Sequence, residues 1–209
     1  MSDFFLWVES LDMAAGFLLA AAASCRGRLY GGHISGSAVL GCLCGLAGPL
    51  LRESLLHGPD GVKLILYALP GAVLAGALTG ALLGGVRNNG WLFFWLDGLS
   101  LGLAACLGTV CGMSGLGVTG ALILGLLAGL APGLLRDMAL GDTARAVEES
   151  WYATAAALGC ILTIFLALLP SWGQGPWPLS DNQWKYVCIL SGALLVLILR
   201  FRRGRGSSD

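Results

Sequence analysis

Six ionisable residues sit in runs too apolar to need them. Asp12, Arg52 and Glu53 come early in the chain. Asp97, Arg136 and Asp137 repeat the set, with the aspartates 85 residues apart and the arginines 84 apart. A charged side chain inside a membrane is rare, and it faces a partner, a cavity or an ion path. The chemistry open to such a set is ion pairing and electrostatic control of a passage. The alternative is a pair of salt bridges that serve architecture only.

Between these charges lie two breaks. Pro49, beside Gly48, and Pro132, beside Gly133, stand inside apolar helical stretches. Proline has no N–H and crowds the carbonyl four residues back, so Gly45 and Ala128 lose their usual donors. Orphan carbonyls are tolerated at membrane depth beside protein or water, where they can replace part of a cation's hydration shell. One such kink reads as packing. Two at equivalent positions mark a transport site.

Nothing else in the chain suggests catalysis. The seven cysteines form no ligand array, and His33 and His57 stand alone. No catalytic triad, zinc signature or phosphate loop is present, so no enzyme, cofactor or resident metal is expected. The formal net charge of zero gives no field for nucleic acid. The cysteines read as small packing residues.

The elements that must hold these residues are membrane helices. The chain is 56% hydrophobic and 11% charged, with a mean hydropathy of +0.80; soluble domains carry about 25% charged residues. Seven spans of near-membrane length are expected at 4–23, 36–57, 63–85, 91–111, 117–138, 150–169 and 184–201. Tryptophans, Trp177 among them, fall near their ends. Glycines spaced by four, such as Gly41 and Gly45 or Gly76, Gly80 and Gly84, mark close helix contacts.

The chain also repeats itself. Residues 38–53 and 122–137 share nine of 16 positions. This divides it into a first three-helix repeat at 1–85, a second at 86–170, and a remainder at 171–209 holding the seventh helix and a basic tail. Three spans per repeat is odd, so the second repeat enters the membrane inverted. Arg26, Arg28, Arg87, Arg145, Arg200, Arg202, Arg203 and Arg205 fall on one side, and Lys63 and Lys185 on the other. That bias puts the N-terminus outside and the C-terminus in the cytoplasm, with Arg200 read as part of the basic tail. Asp12 then lies about 12 Å into its helix, at a depth comparable to Arg52. Inversion gives Asp97 and Arg136 the same relation near the other face. Glu53 and Asp137, turned about 100° from the arginines, are expected at the interface or the pore mouth.

At these residues the chain resembles the bacterial relatives of the trimeric intracellular cation (TRIC) channels, a domain also named a glycine transporter domain. The pattern appears as LDMAAGF and LDGLSLGL in the first helix of each repeat, and as AGPLLRE and APGLLRD in the second. SWYATAAALG fits the third helix of the second repeat. The resemblance implies an all-α homotrimer in the inner membrane, kinked second and fifth helices, and one pore per subunit passing monovalent cations, K+ favoured. Its glycine triplets are reduced here to Ala47-Gly48-Pro49 and Ala131-Pro132-Gly133, and Glu53 stands where aspartate is expected. The alternatives are a small amino-acid carrier, glycine first, or a structural membrane protein. Besides lipid and monovalent cations, no partner is implied.

The topology has a direct test. A cysteine placed at Ser207 is expected to resist impermeant thiol reagents applied from the periplasmic side. Efficient labelling there reverses the orientation.

Overall fold

The structure, a computed structural model, describes residues 2–84, 90–144, 150–172 and 181–204; Arg87, Arg145, Trp177, Arg205 and Ser207 lie outside the described residues. Among the described residues every regular element is a helix: α1 (Ser2–Leu29), α2 (Ile34–Ala68), α3 (Pro70–Leu83), α4 (Gly90–Ala139), α5 (Ser150–Trp172) and α6 (Asp181–Gly204). Four stretches are long and apolar enough to cross a membrane: Ile34–Ala68, Gly90–Ala139, Trp151–Leu169 and Gln183–Arg202.

Two helices are too long for one straight crossing. The 50 residues of α4 would extend about 75 Å, against a hydrocarbon core of about 30 Å. At Gly117 the backbone leaves helical geometry, with φ 68° and ψ −176°, a conformation glycine adopts without strain. The two arms then pack on each other. A Cβ added to Gly112 would lie 2.8 Å from Ala121 Cα, and one added to Gly108 would lie 2.9 Å from Ala128 Cβ. In α2 the same departure occurs at Gly58, with φ 60° and ψ −142°. The expected spans left gaps at 58–62 and 112–116. The structure has a left-handed glycine in the first gap, Gly58, and one at the first residue of the next expected span, Gly117, where a single positive φ redirects the chain within a residue.

The prolines behave differently from one another. Pro49 and Pro132 lie within helical backbone, and the non-helical angles inside α2 and α4 fall at Gly58 and Gly117 instead. Pro70 interrupts the span expected at 63–85, since it offers no N–H. Around it the Leu69 amide donates to Ile65 O (3.0 Å) and the Val73 amide to Leu69 O (3.0 Å), so helical bonding resumes across the break into α3.

The far ends of α1 and α4 close alike. Beyond α1, Gly31 takes φ 80° and the Gly32 amide donates to Gly27 O (3.0 Å). Beyond α4, Gly141 takes φ 67° and the Asp142 amide donates to Asp137 O (2.9 Å). Both follow the glycine-capped pattern that satisfies late carbonyls. The two ends are tied together: Arg26 Nη2 donates to Asp142 Oδ2 at 3.0 Å, and the Tyr30 hydroxyl donates to the same oxygen. The bonds from Tyr30 and then Arg26 hold the Asp142 carboxyl below the usual carboxylate range. The bond to Asp142 raises the Tyr30 phenol.

Small residues set the packing. Ala20 to Ala23 of α1 are buried, and α3 presses Gly76 and Gly80 onto the backbone of Phe17 and Ala21. Gly102 of α4 faces Ala193 of α6 in the same way, where an added Cβ would meet Ala193 Cα at 2.9 Å. All seven cysteines are free. Gly80→Val is expected to cost at least about 1–3 kcal/mol by forcing α3 off α1. Gly71→Ala, where an added Cβ meets nothing within 4 Å, should be neutral or stabilising by about 0.5–1 kcal/mol. Thermal unfolding in detergent separates the two.

Candidate functional site

Arg52 of α2 projects onto α1. Its Nη1 donates to Asp12 Oδ1 at 2.7 Å and its Nη2 to Asp12 Oδ2 at 2.6 Å, a two-pronged pair. Its Nε and Nη2 also donate to Glu53 Oε1, at 3.0 and 2.8 Å. The other Glu53 oxygen meets His57 Nδ1 at 2.6 Å. Planar guanidinium suits this forked recognition, and ionised partners make it strong. These groups border a cavity of about 140 Å³ that Glu9, Leu56, Ile65 and Cys111 also line.

The second set sits deeper in a tighter space. Arg136 Nη1 donates to Asp97 Oδ1, and Arg136 Nε donates to Asp137 Oδ1 at 2.8 Å. Asp97 has a second cation: Arg200 Nη1 of α6 donates to Asp97 Oδ2 at 2.7 Å. The Tyr152 hydroxyl lies 3.5 Å from Asp97 Oδ1. The Arg200 guanidinium lies over the rings of Phe94 and Tyr152, at 5.0 and 4.7 Å from their centroids. The cavity beside this cluster holds about 10 Å³, about the volume that one water requires.

Two expectations need correction. Asp137 reaches no interface or mouth: it is 1% exposed and folded back onto Arg136. Glu53, 6% exposed, also folds back onto Arg52, though its other oxygen meets the exposed His57 and it lines the larger cavity. A buried guanidinium beside one carboxylate still has unused donors, and the next residue's flexible acid reaches them. Arg200 is not part of a solvated tail but is 4% exposed and bound to Asp97. Its place in the last turns of an apolar helix looked like an orientation signal. No local signal marked Arg200, because Asp97 was already matched to Arg136 by depth.

The structure also places the break residues. Gly48 faces the α4 arm that carries Ala128 and Pro132. A Cβ on Gly48 would lie 2.7 Å from Ala128 O and 3.2 Å from Pro132 Cγ, so not even a methyl group fits between the arms there. Gly133 lies under the Tyr152 hydroxyl, at 2.7 Å from its would-be Cβ. Gly45 turns its open face elsewhere, to Gly16, Ala20 and Val73. Pro49 is buried beside Gly48. The Gly48–Ala128 crossing therefore brings Gly48, Ala128 and Pro132 together, whereas Gly45 faces away from it.

Residues 94–167, which hold the Asp97, Arg136 and Tyr152 cluster, match the glycine transporter family. The chain as a whole has the fold of a prokaryotic TRIC channel crystallised in 0.5 M KCl, with a TM-score of 0.75, 22% identity, and coverage of 96% of this chain and 98% of that one. The chain shares the fold of the prokaryotic TRIC channels. A TRIC orthologue from Rhodobacter sphaeroides matches at TM-score 0.77 and 21% identity over 97% of both chains. In sequence, the UPF0126 membrane protein of Deinococcus radiodurans is 28% identical over 203 residues, covering 93% of this chain and 85% of that protein.

The buried pairs make a double-mutant prediction. Arg52→Gln leaves Asp12 and Glu53 buried without their cation and is expected to lower stability by about 3–5 kcal/mol. Adding Asp12→Asn should recover part of that loss. Thermal unfolding of the detergent-solubilised protein measures both. A double variant no more stable than the weaker single one means that the pair is not coupled.

Proposed function

We propose that this protein is a passive channel for monovalent cations, K+ favoured, in the inner membrane. The path runs between the α2 segment at Gly48-Pro49 and the α4 arm at Ala128 to Gly133. The observation that carries this reading is the full-length likeness to TRIC channel structures, with the two arms meeting at Gly48 between two arginine–carboxylate clusters. In this conformation the path is shut at that crossing.

The finer architecture belongs to the same proposal. The chain makes seven passes as two inverted three-helix repeats, 1–85 and 86–170, with 171–209 completing the fold and a homotrimer as the assembly. Several symmetric details support it. The left-handed glycines pair as Gly31 with Gly117 and Gly58 with Gly141, 86 and 83 residues apart. The close contact of Gly41 with Ser24 Oγ and Ala20 O recurs as Gly125 with Thr109 Oγ1 and Ala105 O. The N-terminus is placed outside and the C-terminus in the cytoplasm. A glycine carrier is not favoured, since Arg52, which would meet the substrate carboxylate, is already engaged by Asp12 and Glu53.

Purified protein in vesicles should conduct K+ and show no labelled-glycine counterflow. Counterflow without conductance overturns the channel. Pro49→Ala with Pro132→Ala restores amide donors for the carbonyls of Gly45 and Ala128, and is expected to lower K+ flux about tenfold without loss of assembly. Unchanged flux places the path elsewhere.

A further inference from the structure

The two ends of the bundle close differently, although the repeat relates them. Ser24 meets Gly41 as Thr109 meets Gly125, and the two hydroxyl residues stand 85 apart. Two residues further on, Arg26 therefore corresponds to Cys111. Asp142 follows the left-handed Gly141 as Pro59 follows the left-handed Gly58. One end thus has an arginine and an aspartate where the other has a thiol and a proline, which form no ion pair. About 140 Å³ is open beside Arg52 and Cys111, against about 10 Å³ beside Arg136. We propose that the Arg26–Tyr30–Asp142 contact is a latch that holds the later arm of α4 against α1 and keeps the passage shut, an inference that rests on the channel reading above.

The contact is a closed triangle. Arg26 Nη2 donates to Asp142 Oδ2 at 3.0 Å and to the Tyr30 hydroxyl oxygen at 3.1 Å. The Tyr30 hydroxyl donates to the same Asp142 oxygen. The other Asp142 oxygen accepts from the Thr143 amide at 3.1 Å, which fixes the direction of the carboxylate. The Arg26 and Asp142 side chains are 20% and 23% exposed, so the pair is better shielded than the solvated ion pairs that contribute little. The latch also reaches inward. The Arg26 guanidinium lies 5.1 Å from the centroid of the Phe93 ring, and that of Arg136 lies 5.0 Å from the same centroid. One buried ring thus joins the latch to Arg136, on the arm that also carries Ala128 and Pro132.

That arm forms one wall of the shut crossing, where Gly48 faces Ala128 O. An ion passes there only if the arm and α2 draw apart. The arm begins at the Gly117 turn and ends at Gly141 and Asp142. Rotation about Gly117 displaces the far end most, so a contact at Asp142 resists opening with the greatest leverage. It does so whatever else holds Arg136.

The test uses full-length protein reconstituted in vesicles, with two rates followed. One is K+ efflux. The other is amide hydrogen exchange in the last turns of α4, Gly133 to Ala139, read by peptide mass. Asp142→Asn and Arg26→Gln are each expected to speed both rates about fivefold. A role in packing alone predicts the opposite sign for efflux, since a loosened fold conducts less. The charge swap, Arg26→Asp with Asp142→Arg, restores an ion pair and should bring both rates back toward those of the parent. Asp60→Asn, which removes the exposed Lys63–Asp60 pair at the other end, should change neither.

Unchanged or slower exchange in Asp142→Asn overturns the latch, and so does a swap that leaves exchange at the single-variant rate. Equal acceleration in Asp60→Asn makes the effect one of surface charge and overturns it too. If Asp142→Asn fails to assemble, Tyr30→Phe decides: it removes one side of the triangle and should speed exchange about twofold, and no change overturns the proposal. Exchange that responds as expected in protein passing no K+ sinks the channel reading but leaves the latch standing. Normal K+ efflux that is indifferent to Asp142→Asn and to Arg26→Gln does the reverse.

Discussion

Charge inside an apolar bundle has to be answered by charge, and this constraint orders the whole structure. Asp12 on α1 requires Arg52 on α2. Asp97 on the first arm of α4 requires Arg136 on the second arm and Arg200 on α6. These contacts form in a bundle whose elements approach closely, which the glycine and alanine faces allow. The helical packing and the ion pairs are therefore one arrangement: small residues bring the backbones together, and the charges fix which helix faces which. In a medium of low dielectric, the penalty for a misplaced partner is far larger than any gain in van der Waals contact.

Much of this was legible in the chain. The aspartates and arginines could be recognised by type, spacing and apolar surroundings, because ionised groups are conspicuous there. What escaped was whatever depends on a third element. Arg200 stands among other arginines at the end of a helix, and nothing local distinguishes the one that turns inward. The acids that follow Arg52 and Arg136 looked outward-facing from helical geometry alone, yet a two-atom or three-atom side chain can fold back over 100° of helix. Position on a helical wheel gives the direction of the Cα–Cβ bond, not that of the carboxylate.

The helix boundaries teach a related point. The expected span boundaries fell near 58 and 117, but proline seemed the strongest source of distortion. Pro49 and Pro132 keep helical angles, while Gly58 and Gly117 take the left-handed ones. A proline in a membrane helix removes a donor without reversing the chain. Reversal needs a positive φ, and glycine adopts it at least strain. Pro70, whose effect on α3 the apolar pattern hid, interrupts a helix that otherwise runs on.

The long reach of the Asp97 contacts bears on how the protein is made. Its partners lie 39 and 103 residues further along the chain. A ribosome delivers Asp97 to the membrane well before Arg136, and α6 arrives later still. Throughout that interval Asp97 lacks both arginines, and burying it so is costly. The contacts that hold Asp97 here are therefore assembled in stages, and the one from Arg200 waits until α6 has entered.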